Sequence, residues 1–363
     1  MVILFFTSPI GLGHATRDIA ICEKLRSLTN DKILFVTGQA AYTIISNNGY
    51  VAYNVYTPND FHVNYSMHLQ SMIKWLIQYV SYYKRCKIIA QQFIEKNSKC
   101  NLLIVSDEDF ASIAVGKNKN KKRVLITDIL KTRFLKGLPS IIEYGMNRSL
   151  ENMIKSCDHV IIPDYGSDID NKSYIGPIVR ELTTTDRGAL RKKFRMHKPT
   201  ILLTIGGTPS GKYLIEMTIK AFRKLRMKLD IDLLIASGPS VGVQGKSLCT
   251  SDISNIINLG FVNNLHEYIY ASDLVVSLAG RSTIDESLVY KTPGIFIPIK
   301  NHFEQEENAR RMGYNYKDIF KLESLIEEKF DSMSVTASSR TISNVSSEKA
   351  AKIILKTLDP INE

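Results

Sequence analysis

The sequence predicts an α/β protein made of two doubly wound halves, one after the other along the chain. Three observations carry this expectation. Short apolar runs of strand length alternate with helical patterns, the alternation restarts near residue 200, and each half opens with a strand, a glycine-bearing loop and a helix. In the first half the runs Val2–Phe6, Ile33–Val36, Leu102–Val105, Val124–Ile126 and Val160–Ile162 read as buried strands. Helical segments separate them, such as Thr16–Leu28, where Ile19, Ala20, Leu25 and Leu28 partly share a face. In the second half Ile201–Ile205, Ile231–Ala236, Ile256–Leu259, Leu274–Ser277 and Gly294–Pro298 continue the series, with a helix from about Lys212 to Met227. The break between halves falls at Gly176-Pro177-Ile178-Val179-Arg180, because Gly-Pro interrupts regular structure. A last helical pattern, Ser346–Leu358, follows a stretch rich in Ser and Thr.

Composition sets the outer bounds. The chain has 363 residues, 44% apolar and 23% charged, enough for two domains with their own cores and unlike a disordered chain. The net charge of +11 favours an anionic partner: a nucleotide diphosphate, a phospholipid surface or nucleic acid. Five cysteines are widely scattered with no C-x-x-C pair, which suggests reduced thiols in a cytosolic protein and no zinc site. The start, MVILFFTSP, has no basic region and too short an apolar run for a secretory signal, so it reads as a first buried strand. No run reaches the roughly 18 apolar residues of a spanning helix. The basic run Lys117–Arg123 reads as a solvated turn.

Three loops could carry chemistry. The first is Ser8 to Arg17, where Gly11 and Gly13 allow close backbone approach at a helix start that favours negative charge. Thr16 stands where a dinucleotide fingerprint would need glycine. His14 sits at the C-terminal edge of the first strand, where open α/β sheets bind ligands, and a neutral imidazole there could accept a proton from a hydroxyl; it could equally cap the turn. Asp107, Glu108 and Asp109 follow the strand Leu102–Val105 and so share that rim. Asp107 or Glu108 is the candidate acid to orient His14, against the plainer reading that Asp107 or Asp109 starts the next helix.

The second loop, Gly206 to Tyr213, matches most of a P-loop but has Tyr213 where Ser or Thr should bind magnesium, and Pro209 removes a backbone donor. A phosphate-approaching loop at Gly207 and Thr208 remains, and an ATPase does not. In the third, Gly280, Arg281 and Ser282 precede or open a helix whose N–H groups and dipole can hold a diphosphate without metal. Glu286, about one turn on, could accept both hydroxyls of a ribose, or simply favour the helix start. Glu304 and Gln305 could bind sugar hydroxyls or cap the helix that continues to Arg311.

Taken together, GLGHATR at Gly11–Arg17, IGGTPSGK at Ile205–Lys212, GPIVR at Gly176–Arg180 and the block Gly260–Ala309 resemble the GT-B glycosyltransferases. The resemblance is to the family 28 branch, which contains the peptidoglycan-type N-acetylglucosaminyltransferase and related archaeal and bacterial enzymes. It covers most of the chain. It implies two Rossmann-like domains facing an interdomain cleft. Residues 1–176 would bind the acceptor, 177–340 the nucleotide sugar, and 341–363 would form a helix packing back on the first domain. It also implies that Phe261 and Val262 meet the uracil, with Arg180 nearby, and that Gly280, Arg281, Ser282 and Thr283 hold the diphosphate. Glu286 would bind the ribose, Glu304 and Gln305 would read the donor sugar, and His14 would act as base. The implied reaction is metal-independent, cofactor-free transfer with inversion at the anomeric carbon.

Two departures from the family pattern bear on the donor. Leu12 stands where the bacterial enzyme has glycine, and the loop around Glu304-Gln305 is shorter. UDP-N-acetylglucosamine is the first expectation, with UDP-glucose and UDP-galactose open.

The acceptor is expected to be a glycan or lipid-linked. The segment Tyr65–Lys99, with Trp75, Tyr79, Tyr82 and Tyr83 beside Lys74, Lys84, Arg85 and Lys87, suits a membrane surface, although a core helix with a solvated basic edge fits the same pattern. The expected location is the cytoplasm, peripheral on the inner face of the cell membrane. No standard nucleic-acid module is present, so nucleic acid is not expected as a partner. Two rivals stand beside this reading: a nucleotide-sugar epimerase of the same fold, and a non-catalytic nucleotide-sugar-binding subunit.

Overall fold

In a computed structural model the described residues are 1–58, 69–132, 140–206, 211–238, 255–333 and 345–358. The chain divides into two compact units. The first comprises residues 1–60, 73–180 and 344–363, and the second residues 61–72 and 181–343.

The first unit is built on a seven-stranded sheet. Its strands are β1 (Val2–Thr7), β2 (Lys32–Thr37), β3 (Val51–Asn54), β4 (Leu102–Asp107), β5 (Lys122–Ile126), β6 (His159–Ile162) and β7 (Lys172–Tyr174). They run in the order β3-β2-β1-β4-β5-β6-β7, and every pairing is parallel. A parallel sheet covered on both faces needs strands that are apolar throughout, and β1 and β4 are buried at every position. The helices that connect them are α1 (Gly13–Leu28), α2 (Gln39–Asn47), α3 (Leu69–Lys96), α4 (Phe110–Asn118) and α5 (Ser140–Lys155).

Two strands escape the sequence pattern, for related reasons. The edge strand β3 is short and nowhere fully buried, so Val-Ala-Tyr-Asn shows no apolar run. At the other edge β7 is three residues of mixed polarity. Elsewhere the expected runs are extended: β4 continues through Asp107, so this acid is the last residue of the strand rather than part of the loop after it. Helix α1 begins at Gly13, three residues before the expected start, which places His14 in its first turn.

The second unit carries a five-stranded parallel sheet. Its strands are β8 (Thr200–Thr204), β9 (Asp232–Ala236), β10 (Ile256–Gly260), β11 (Leu274–Leu278) and β12 (Gly294–Ile297), in the order β10-β9-β8-β11-β12. Its helices are α6 (Arg187–Lys193), α7 (Lys212–Leu225), α8 (Leu265–Ala271), α9 (Arg281–Val289), α10 (Phe303–Arg311) and α11 (Leu322–Met333). Helix α7 is buried at Leu214, Ile215, Thr218, Ile219, Ala221, Phe222 and Leu225, the spacing of one wide helical face.

Helix α12 (Ser346–Leu358) belongs to the first unit, where it packs on α1 and β5. Ala350, Ala351, Ile354 and Leu358 form its buried stripe, Ser346 Oγ donates to Ile175 O at 2.7 Å, and Lys122 Nζ donates to Leu358 O at 3.0 Å. Full burial of Ile354 and Leu358 contributes about 1.5–3 kcal/mol each. This cover explains why α1 looks only weakly amphipathic: Ala15, Arg17, Asp18, Ile19, Ala20, Ile21, Cys22 and Leu25 are all buried, because the helix has the sheet on one side and α12 on another.

Candidate functional site

Each sheet reverses its winding at one place, and chemistry-bearing loops gather there. In the first sheet the reversal lies between β1 and β4, in the second between β8 and β11. Loops that leave neighbouring strands on opposite faces diverge at such a point and open a crevice at the C-terminal strand ends. His14 follows β1, Asp107 ends β4 and Glu108 comes directly after it, so all three flank the first reversal. The loops at Gly206 and Gly280 flank the second.

At the first point the side chains meet. Asp107 Oδ1 lies 2.8 Å from His14 Nδ1. Arg17, one helical turn beyond His14 on α1, donates to the same carboxylate twice: Nε to Oδ2 at 2.8 Å and Nη2 to Oδ1 at 2.5 Å. Asp107 is wholly buried, and burial alone would raise its pKa. The charges of Arg17 and His14 and their hydrogen bonds overcome that and hold it at about 2. An ionised carboxylate only accepts, so His14 Nδ1 carries a proton, and in the neutral ring Nε2 holds the lone pair.

Nε2 faces Glu108, whose Oε2 is 3.7 Å away. Glu108 adopts a left-handed backbone conformation with φ of 54°, a strained state for a side chain with a Cβ. Its Oε1 accepts from Thr127 Oγ1 at 3.0 Å and from the Asp128 N–H at 3.3 Å, which turns Oε2 toward the imidazole. Burial pushes the Glu108 pKa well up, and the charge of Asp128 pushes the same way. For His14, burial pushes the pKa down, but Asp107 and Glu108 outweigh it and raise it to about 9. Asp18, on α1, is raised by burial and by the Asp107 charge, and its Oδ2 accepts from Thr7 Oγ1 at 2.5 Å.

Beside Glu108 lies a cleft open to solvent, lined by Ser8, Ile10, Tyr79, Tyr82, Tyr83, Cys86, Glu108 and Asp109. Asp109 does start the next helix: it caps α4 by accepting from the Ser112 N–H at 3.2 Å, and it also accepts from Tyr56 OH at 2.9 Å. Burial lifts its pKa to about 6. A carboxyl with a raised folded-state pKa contributes its full stability below its unfolded value and loses it as pH rises through about 6. Replacing Asp109 by Asn keeps a good cap and removes this ionisation. The expected result is a protein more stable than the parent at pH 8, by up to about 3 kcal/mol, with little difference at about pH 3.5; urea unfolding at the two pH values measures it.

In the second unit Gly280 precedes α9, which has no side-chain cap and no acid in its first turn. By contrast α6 and α10 are capped by Asp186 and His302. This N-terminus therefore presents the N–H groups near Ser282 and Thr283 to an anion. Gly280 has φ of −74°, and a Cβ built on it would meet nothing within 4 Å, so the fold does not itself require glycine here. Because α9 starts at Arg281, Asp285 and Glu286 lie beyond the first turn, not in it. Asp285 accepts from Arg281 Nε at 2.9 and 3.0 Å, and Glu286 is buried.

The remaining predicted residues are placed as follows. Phe261 and Val262 leave the end of β10 half-buried. Glu304 and Gln305 lie in the first turn of α10, where Gln305 Oε1 accepts from the Ile299 N–H at 3.0 Å and the Gln305 N–H donates to His302 Nδ1. Burial lowers the His302 pKa to about 4, so the ring is neutral and can cap. Arg180 belongs to the first unit, buried, and donates to Asn48 Oδ1 at 3.2 Å, while Phe261 and Val262 belong to the second. Gly11 has φ of 86°, a conformation that suits glycine, and Gly13 opens α1. Gly207 and Thr208 lie outside the described residues, as do Trp75 and Lys74 as side chains. No group of three or more His, Cys, Asp or Glu residues arranged to hold a metal ion occurs among the described residues. Sequence reasoning passed over Arg17, Thr127 and Asp128. For Arg17 a signal was there: it lies three residues after His14, on the same helix face.

Residues 201–346 match the model of the glycosyltransferase family 28 C-terminal domain. That stretch thus resembles the family 28 C-terminal domain, and the chain as a whole has the GT-B fold. The chain is 27% identical to an uncharacterized glycosyltransferase of Methanopyrus kandleri, over 58% of the chain and 60% of that protein. It is 26% identical to the UDP-N-acetylglucosamine–N-acetylmuramyl-(pentapeptide) pyrophosphoryl-undecaprenol N-acetylglucosamine transferase of Desulforamulus reducens, over 49% of the chain and 52% of that protein. These matches thus span between half and two thirds of the relatives' length. Among solved structures, the glycosyltransferase of kitacinnamycin superposes with a TM-score of 0.64 at 12% identity, covering 98% of each chain. The UDP-GlcNAc 2-epimerase of Neisseria meningitidis superposes with 0.65 at 14% identity, covering 99% of each. At such identities the likeness is one of fold.

Proposed function

We propose that this chain is a glycosyltransferase that moves N-acetylglucosamine from UDP-N-acetylglucosamine to a hydroxyl of a glycan or lipid-linked acceptor, with inversion and without a metal. The observation that carries the reading is the 2.8 Å contact between His14 Nδ1 and a wholly buried, ionised Asp107, which leaves Nε2 as the basic atom. In the reaction the acceptor O–H proton passes to Nε2 while the oxygen bonds to the anomeric carbon. The bond from that carbon to the diphosphate breaks, and UDP departs with the electron pair. The helix start at Gly280–Thr283 would stabilise the charge gathering on the diphosphate. Phe261 and Val262 would take the base, Gly207 and Thr208 would approach the phosphates, Glu286 the ribose, and Glu304 with Gln305 the sugar. The choice of donor follows the sugar that the Desulforamulus reducens relative is named for transferring.

The test is a panel of UDP, GDP and TDP sugars in thermal unfolding, followed by product analysis. UDP-N-acetylglucosamine at about 100 times its Kd should stabilise the protein by about 2.7 kcal/mol, and equal shifts with GDP or TDP sugars would remove the UDP assignment. The epimerase neighbour makes the product the deciding arm. With donor alone a transferase releases UDP slowly by hydrolysis, whereas conversion to a second UDP-sugar would establish epimerisation instead.

Membrane contact is part of the proposal. No described helix is long and apolar enough to cross a membrane. Helix α3 buries Tyr82, Cys86, Ala90 and Ile94, so the core-helix reading accounts for one face. Its opposite face exposes Ile77, Val80 and Ile88 together with Lys84 and Arg85. Apolar residues between basic ones suit the boundary of an anionic bilayer, on the cytoplasmic side if the acceptor is lipid-linked. The protein should float with vesicles containing anionic lipid, and Ile77→Asp with Ile88→Asp should abolish it. Absence of flotation by the unmodified protein would remove the membrane from the scheme.

A further inference from the structure

We propose that Arg17 is the positioning residue of this site: its guanidinium fork fixes the Asp107 carboxylate, and through it the His14 imidazole, in the orientation that leaves Nε2 free to take a proton. This rests on the proposed role of His14 as base and explains why the GLGHATR segment ends in arginine.

The geometry has three parts. Arg17 occupies both oxygens of Asp107, so the plane of the carboxylate is set by a two-point contact. His14 then shares Oδ1 with Arg17 Nη2, and the two donors stand 3.3 Å apart, converging on one oxygen. Finally, His14 and Arg17 come from consecutive turns of one helix, so the spacing of base and clamp is fixed by α1 itself.

The electrostatic setting makes the clamp necessary. Asp107 is completely buried and interacts with the carboxyl group of Asp18 on α1, while its chain neighbour Glu108 interacts with Asp128. Without a cation in contact it would compete with them for a proton. A protonated Asp107 could donate to His14 instead of accepting, which would transfer the Nδ1–H to Nε2 and leave no lone pair on that atom. Arg17 stays charged and is itself buried, with Nη1 3.9 Å from Asp128 Oδ2. A lysine would bring charge but only one point of contact, so it could hold Asp107 ionised without fixing its plane.

The experiment reads the ring directly and needs no acceptor. In the unmodified protein the Nδ1–H of His14 should give a far-downfield proton resonance protected from exchange, assigned by its loss in His14→Gln. In Arg17→Ala that resonance should broaden or vanish, and free guanidinium added to the variant should restore it. Arg17→Lys, which keeps the charge if the alanine variant does not fold, should also lose the sharp resonance. In parallel, UDP release from UDP-N-acetylglucosamine with water as acceptor should fall about 100-fold in kcat in either variant with KM unchanged. Guanidinium should recover part of that loss only in Arg17→Ala. A resonance that persists in both variants overturns the proposal, whatever happens to turnover. Unchanged UDP release in His14→Gln would instead remove the base, while the resonance in the Arg17 variants would still decide whether the clamp exists.

Discussion

His14→Ala should lower kcat for transfer by two to four orders of magnitude, the usual contribution of a positioned general base. Donor binding should be unchanged, because the residue belongs to the first unit, while the proposed diphosphate residues belong to the second. Nucleotide-sugar titration by calorimetry, set beside initial rates, separates these effects. A variant with full turnover has no need of this imidazole as base. Loss of UDP-sugar binding would recast it as a donor ligand.

The pH dependence has a definite sign. With Asp107 and Glu108 raising the His14 pKa to about 9, the ring is an imidazolium in the free enzyme at neutral pH. Only the neutral form accepts a proton, so kcat/KM should climb about tenfold per pH unit and level off near pH 9. The same shift stabilises the fold. His14 is raised above its ordinary value of 6.5, so its contribution is complete below that pH and is lost as pH rises through about 9. Activity and stability therefore run in opposite directions across the interval from 6.5 to 9. Glu108→Gln removes one of the two carboxylates facing the ring and should move the activity limb to lower pH.

Gly280→Asp should uncouple binding from folding. Aspartate is among the best helix caps, the backbone at this position has an ordinary negative φ, and open space surrounds the site of the new side chain. Stability should stay level or rise by roughly a few tenths of a kcal/mol. Yet the added charge would stand where a diphosphate is proposed to sit, at a cost of several kcal/mol, and a loss of about 2.7 kcal/mol already weakens UDP binding about 100-fold. A variant that unfolds early would mean Gly280 serves the backbone. One that is stable and still binds UDP tightly would mean the phosphates lie elsewhere.

Much of the fold was legible because parallel strands buried on both faces leave unbroken apolar runs, as in β1, β4, β8 and β11. What escaped was what the sheet does not bury: β3 and β7 at the edges carry no such run. The grouping of His14 with Asp107 and Glu108 could be anticipated from strand ends alone, since neighbouring parallel strands bring their C-terminal loops together. Three features could not. The left-handed turn at Glu108 has no glycine to announce it. The hydrogen bonds from Thr127 and Asp128 come from a strand whose own loop looked unremarkable. Arg17 was visible as a basic residue on α1, but its partner lies 90 positions away. In the second unit, Gln305 presented a sugar-reading amide, and its carbonyl end is instead engaged with the Ile299 backbone.

The return of α12 to the first unit has a consequence for synthesis on the ribosome. By the time residue 180 emerges, every strand of the seven-stranded sheet exists, yet the apolar flank of α1 has no cover until residue 358 follows. At ordinary elongation rates that interval is on the order of ten to thirty seconds. During it the nascent chain displays the surface that Ala351, Ile354 and Leu358 will later shield. The unit begun first is therefore the unit finished last, and its early exposure is a natural point for chaperone attendance.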